Sequence, residues 1–145
     1  MHEHHTTRRL LLAEERVEAC LSQWKVSGRV IARCKGQDLA GLGFQHPLWE
    51  ADAGYQRESV VIPADYVGLD AGTGIVHCAP AYGVEDFLSW RGAGHPDDTV
   101  INPVMGNGHY AESLPLFSGM FIWKANAEVI RQLTACRRLV ASSND

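Results

Sequence analysis

A histidine and a carboxylate flank one tight turn in the run Gly72-Thr73-Gly74-Ile75-Val76-His77-Cys78-Ala79-Pro80-Ala81-Tyr82-Gly83-Val84-Glu85-Asp86-Phe87. An imidazole can orient a reacting group or move its proton near neutral pH, and a carboxylate can hold a cation such as an ammonium. The elements that must position them read as a strand, a turn and a helix. Gly72 and Gly74 let the backbone enter a β-branched segment without side-chain bulk, and Ile75-Val76 reads as a short buried strand with His77 at its end. Pro80 and Gly83 punctuate the chain, and from Val84 the pattern turns helical. Glu85 and Asp86 fall in the first turn, where the helix dipole favours negative charge, and Phe87, Leu88 and Trp90 are its apolar positions. Each residue also has a structural reading. Acids in a first turn serve helix ends by charge alone, and a histidine after a strand serves as hydrogen-bonded scaffold.

The neighbours narrow the choice. Glu85 points about 100° away from Asp86 around a helix, so one pocket takes only one of them. Cys78 beside His77 invites a Cys-His nucleophile, but neighbours on a strand point to opposite faces, which argues against it. Tyr82 and Gly83 shape the turn against a substrate, although Gly83 is equally a backbone device, and Thr73 offers a hydroxyl beside the site.

Along the chain, residues 10–13 read as a short strand and 14–24 as a helix burying Val17, Cys20, Leu21 and Trp24. Residues 28–34 read as a strand, 35–38 as a turn, 39–44 as the lead into an extended segment stopped by Pro47, and 51–57 as a loop before a strand at 59–62. A loop at 92–98, a strand at 100–104, a hairpin turn at Gly106-Asn107-Gly108 and a last helix capped by Asn126, with Val129, Ile130 and Leu133 inward, complete the reading. Strands dominate the middle and helices the edges. The fold expected is α+β to mainly β, a small β-barrel with packed helices.

The length of 145 residues suits one domain, and 46% hydrophobic with 21% charged residues suits a soluble globular chain without a bilayer-spanning run. Cysteines at 20, 34, 78 and 136 are too scattered for a zinc or redox motif and read as reduced, mostly buried thiols. The polar N-terminus has no apolar signal core, which implies a cytoplasmic setting. His2, His4 and His5 read as a polar tail, so no metal site is assigned. A net charge of −4 argues against binding nucleic acid by broad phosphate neutralisation. Arg8-Arg9 and Arg137-Arg138 read as solvated surface.

The glycine-to-phenylalanine run resembles the editing-domain signature of isoleucyl-tRNA synthetases, Gly-Thr-Gly-x-Val-His-x-Ala-Pro followed by a small-aromatic-Gly turn and an acidic pair. Leucyl and valyl relatives typically continue Pro-Ala-His-Asp, whereas this chain has Pro80-Ala81-Tyr82-Gly83. Leu39-Ala40-Gly41-Leu42-Gly43-Phe44-Gln45-His46-Pro47-Leu48, Val61-Ile62-Pro63, Asn102-Pro103-Val104 and Gly119-Met120-Phe121 with Ala125-Asn126 extend the resemblance, in the same order, over about residues 8 to 135. A tail at 1–9 and a divergent stretch at 136–145 flank an editing domain at 10–135. The family's Thr-rich peptide, expected before Leu10, is absent, so the chain reads as a truncated piece of a larger enzyme.

The resemblance implies a second pocket that corrects a selectivity problem, since a site for isoleucine admits valine with only a methylene to discriminate. It implies a small β-barrel editing domain in which Asp86 binds the α-ammonium of a misacylated valine-like group on the 3′ end of tRNA(Ile). His77 lines the side-chain pocket, with Thr73, Tyr82 and Gly83 around the substrate, and a positioned water is the nucleophile. No cofactor is implied. The His-x-Gly-His and Lys-Met-Ser-Lys-Ser signatures are absent, so ATP enters only through a parent synthetase. A non-catalytic aminoacyl-tRNA or amino-acid binding module and an inactive fragment remain as alternatives.

Overall fold

Glu14 and Glu15 open a 3-10 turn over Glu14–Arg16 that runs directly into helix α1, Val17–Trp24, whose buried side chain is Cys20. Val17, Leu21 and Trp24 are half-buried on the same side, the helical spacing read from the sequence. The helix ends where Lys25 turns left-handed (φ 56°) and the N–H groups of Lys25 and Val26 fold back onto Ser22 and Leu21. The computed structural model describes residues 7–142, so part of the tail and its His2, His4 and His5, together with residues 143–145, lie outside the described residues. The described residues form two compact units. One joins the chain up to Ile31 with 64–78, and the other joins 32–63 with the chain from Ala79 onward.

In the first unit α1 is tied to the glycine loop at 72–74. The Ala13 N–H donates to the Thr73 carbonyl (2.9 Å), Arg16 Nε to the Gly72 carbonyl (2.8 Å) and the Cys20 thiol to the same oxygen (3.3 Å). Residues 10–13, read as a short strand, form no strand. Ile75 and Val76, expected in a buried strand, lie outside any strand and are exposed at 49% and 58%. β-Branched residues favour extended backbone, but a strand exists only where a neighbour completes its ladder, and among the described residues no strand pairs with them.

The second unit holds the sheet. Strands β1, Gly43–Gln45, and β2, Glu58–Val60, run antiparallel with Gly43 opposite Val60 and Gln45 opposite Glu58, and backbone bonds at 41–42 with Val61 and at 46 with 57 lengthen the pair. Residues 28–34, read as a strand, are exposed and irregular. Residues 100–104 contribute only the bridge of Val104 to Tyr110, across the Gly106-Asn107-Gly108 turn where Gly108 takes φ 76°, and His109 bridges Phe121. Helix α2 is Val84–Gly92 and α3 is Ile122–Ala135. Asn126 lies inside α3. The helix starts five residues earlier than a cap at Asn126 would place it, because Phe121, extended and bridged to His109, acts as its cap residue. Ala125, Val129 and Leu133 face inward and Ile130 is exposed.

Leu48, Tyr55 and Phe117 form the core of this unit, with Ala51, Tyr110, Leu114, Met120, Val129 and Leu133 packed against them. Burial raises the Tyr55 phenol above its ordinary pKa, and its hydroxyl donates to the Pro115 carbonyl at 2.8 Å. Cys20 is buried and Cys78 and Cys136 are half-buried, while Cys34 is exposed, so the expectation of mostly buried thiols fails at that position. No helix among the described residues is long and apolar enough to cross a membrane.

Candidate functional site

The glycine loop explains its own composition. Gly72 and Gly74 take φ 62° and 75°, where a side chain is strained, and a Cβ on Gly74 would collide with the Ala13 methyl. Between them the Thr73 hydroxyl accepts the Ile75 N–H (3.1 Å) and donates to the Ile75 carbonyl (3.0 Å). Its single proton is therefore used inside the loop. His77 follows on an exposed, irregular stretch of this first unit.

Tyr82, Gly83 and Asp86 come together in the second unit. The turn at 79–83 closes through the Tyr82 and Gly83 N–H groups, which both donate to the Ala79 carbonyl (2.9 and 3.2 Å). Asp86, third residue of α2, reaches back so that its Oδ2 accepts the Ala79 N–H at 2.9 Å. The carboxylate thus stands at the positive end of α2 and fastens the turn to the helix. Gly83 caps the helix with φ −137° and ψ 133°, a backbone any residue adopts, so conformational freedom does not explain it. The reason is proximity, because a Cβ there would sit 3.1 Å from the Asp86 carboxyl. Glu85 is exposed and takes no part in this closure.

Tyr82 is 57% exposed, and its hydroxyl ties the ring down by donating to Asn102 Oδ1 (2.8 Å) and accepting the Val104 N–H (3.3 Å). The sequence reading gave Asn102 no role. Its signal was the Asn102-Pro103-Val104 triplet, where the proline holds the preceding residue extended. Leu88, read as an apolar position of α2, is 60% exposed, while Phe87 and Trp90 are half-buried and Trp90 stacks on His95 with ring centroids 3.9 Å apart. Among the described residues no group of three or more His, Cys, Asp or Glu side chains could hold a metal ion.

The Asp86 carboxylate lies at the N-terminus of its own helix, where the helix dipole favours its negative charge. No family model matches the chain. The similar proteins are tRNA ligases, and the chain is homologous over about nine-tenths of its length to one segment of isoleucine–tRNA ligases. It is 58% identical over 131 residues to that of Bordetella petrii, covering 90% of this chain and 14% of the relative. It is 57% identical over 124 residues to that of Ralstonia pickettii (86% and 13%) and 53% over 133 residues to that of Burkholderia lata (92% and 14%). The chain therefore spans about one-seventh of the length of the curated relatives it matches.

Proposed function

We propose that these residues form the editing segment of an isoleucine–tRNA ligase and hydrolyse valine-type esters on the 3′ end of tRNA(Ile) during protein synthesis. The observation that carries the reading is the Asp86 carboxylate, held over the α2 N-terminus by Ala79 and given room by Gly83. In that reading Asp86 pairs with the substrate's α-ammonium and so fixes the ester carbonyl for attack by water, a gain of positioning more than of acid–base chemistry. His77 is assigned to the side-chain end, where it favours valine over isoleucine, and Thr73 and Tyr82 line the approach. ATP belongs to the parent synthetase's activation chemistry, and the setting is the cytoplasm. The fold proposed with this activity is the small β-barrel with peripheral helices. The β1–β2 pair, the two single bridges and the β-prone composition at 28–34 and 75–76 support it.

A second reading has one observation in its favour. Because the Thr73 hydroxyl is closed on Ile75, it has no proton to give a substrate, which suits a module that binds the aminoacyl group without cleaving it.

Single-turnover deacylation separates the two. With the chain in excess, Val-tRNA(Ile) is expected to lose its valine faster than in buffer, Ile-tRNA(Ile) to be spared, and Asp86→Asn to return the valyl ester to the buffer rate. Hydrolysis that is undiminished in Asp86→Asn, or absent from the unaltered chain, overturns the editing reading. In the latter case, binding of the amide analogue of 3′-valyl-adenosine would establish the second.

A further inference from the structure

Two hydrogen bonds lead away from the Asp86 turn to a segment about twenty residues further on. The Tyr82 ring is more than half exposed, so packing does little to hold it. Its hydroxyl is saturated in the way a phenol can be, giving its proton to Asn102 Oδ1 and receiving the Val104 N–H. The receiving segment is itself anchored. Pro103 restricts Asn102 to extended backbone, the Pro103 carbonyl accepts the Ala111 N–H (2.8 Å), and Val104 is bridged to Tyr110. At the other end of the turn, Ala79 accepts from residues 82 and 83 and donates to Asp86.

We propose that Asn102 is a positioning residue for Asp86: through the Tyr82 hydroxyl it fixes the 79–83 turn, whose Ala79 N–H in turn sets the direction of the carboxylate. The inference rests on the reading of Asp86 as the carboxylate that meets the substrate's ammonium. It goes beyond that reading by making the site depend on an amide that touches no substrate. A carboxylate displaced by about an ångström loses on the order of 10²-fold in rate, so a loosened turn is felt in hydrolysis while the exposed ring leaves stability nearly untouched.

The test is a mutant cycle on the full 145-residue chain. Tyr82→Phe, Asn102→Ala and the double variant are assayed for single-turnover hydrolysis of Val-tRNA(Ile) beside Asp86→Asn, with thermal melting of each. The expected result is a loss of about 10- to 100-fold in each single variant and no further loss in the double. Asn102→Asp, which keeps an acceptor oxygen for the phenol, should recover most of the rate. Unchanged rates in Tyr82→Phe or Asn102→Ala, beside an inactive Asp86→Asn, overturn the proposal and leave the editing reading standing. Losses that multiply in the double variant, or that follow the melting temperature and vanish on cooling, overturn it too, because they mark independent or purely structural roles. An Asp86→Asn chain as active as the unaltered one, or an unaltered chain without hydrolysis, removes the editing reading and this inference with it.

Discussion

The Asp86 Oδ2 accepts the Ala79 N–H, which is why its two standard substitutions should part company. Asp86→Ala removes the acceptor of the Ala79 N–H and the charge at the α2 N-terminus, so it should lower stability by about 1–2 kcal/mol. Asp86→Asn keeps an acceptor and the shape, so it should melt near the unaltered chain while losing hydrolysis. Melting curves recorded beside deacylation rates check both. Glu85→Gln should change neither, since its side chain lies outside the closure. Gly83→Ala is the sharper case. Its backbone suits alanine, but the new methyl meets the carboxyl at 3.1 Å, so activity should fall with little change in melting temperature. Helical geometry made it legible in the sequence that Asp86 and Glu85 face different directions, and the choice of Asp86 rested on the family resemblance. The demand on Gly83 was not legible, because only the folded-back carboxylate creates it, nor was Asn102, whose contact spans twenty residues.

Elements whose signals are local were read well. α2 begins at Val84, β2 overlaps the strand expected at 59–62, and the 106–108 turn closes as its glycines require. Stretches at 10–13, 28–34 and 75–76 have strand composition without ladders, because pairing is decided by partners that composition does not name. The glycine loop gives an element-scale prediction. Gly72→Ala meets open space and should cost only the left-handed strain, about 1–2 kcal/mol, whereas Gly74→Ala adds a collision with Ala13 and should cost clearly more in chemical denaturation. On α3, Arg131, and then Gln132, hydrogen-bond the Glu128 carboxylate and hold its pKa down at about 2 from 4.5. A depressed carboxylate stabilises the folded chain above its unfolded pKa, and the contribution fades as pH falls from about 4.5 through 2. Glu128→Gln should therefore flatten the acid side of the stability profile in that window and leave pH 7 to 9 unchanged in shape, as pH-dependent melting would show.

For the whole molecule, the uneven share of buried side chains matters most. In the first unit Cys20 is the buried hydrophobic residue, whereas Leu48, Tyr55, Phe117 and Ala125 are buried in the second. Native-state hydrogen exchange should accordingly show the amides of α1 opening at lower free energy than those of α3. Length and composition suit one domain, and nothing in them marks residues 31, 63 and 78 as joints, because the first unit is assembled from stretches far apart in the chain. That discontinuity has a consequence for synthesis. The groups that fasten α1 to its loop, Arg16 to Gly72 and Cys20 to Gly72, are 56 and 52 residues apart. A ribosome adding about 5–20 residues per second delivers the loop roughly 3–11 s after the helix. An eight-residue helix is marginal alone in water, so α1 is expected to gain lasting stability only once the glycines emerge. For those seconds the Arg16 guanidinium and the Cys20 thiol lack the Gly72 carbonyl that receives them in the folded unit, an interval in which a chaperone that grips short apolar segments would find its substrate.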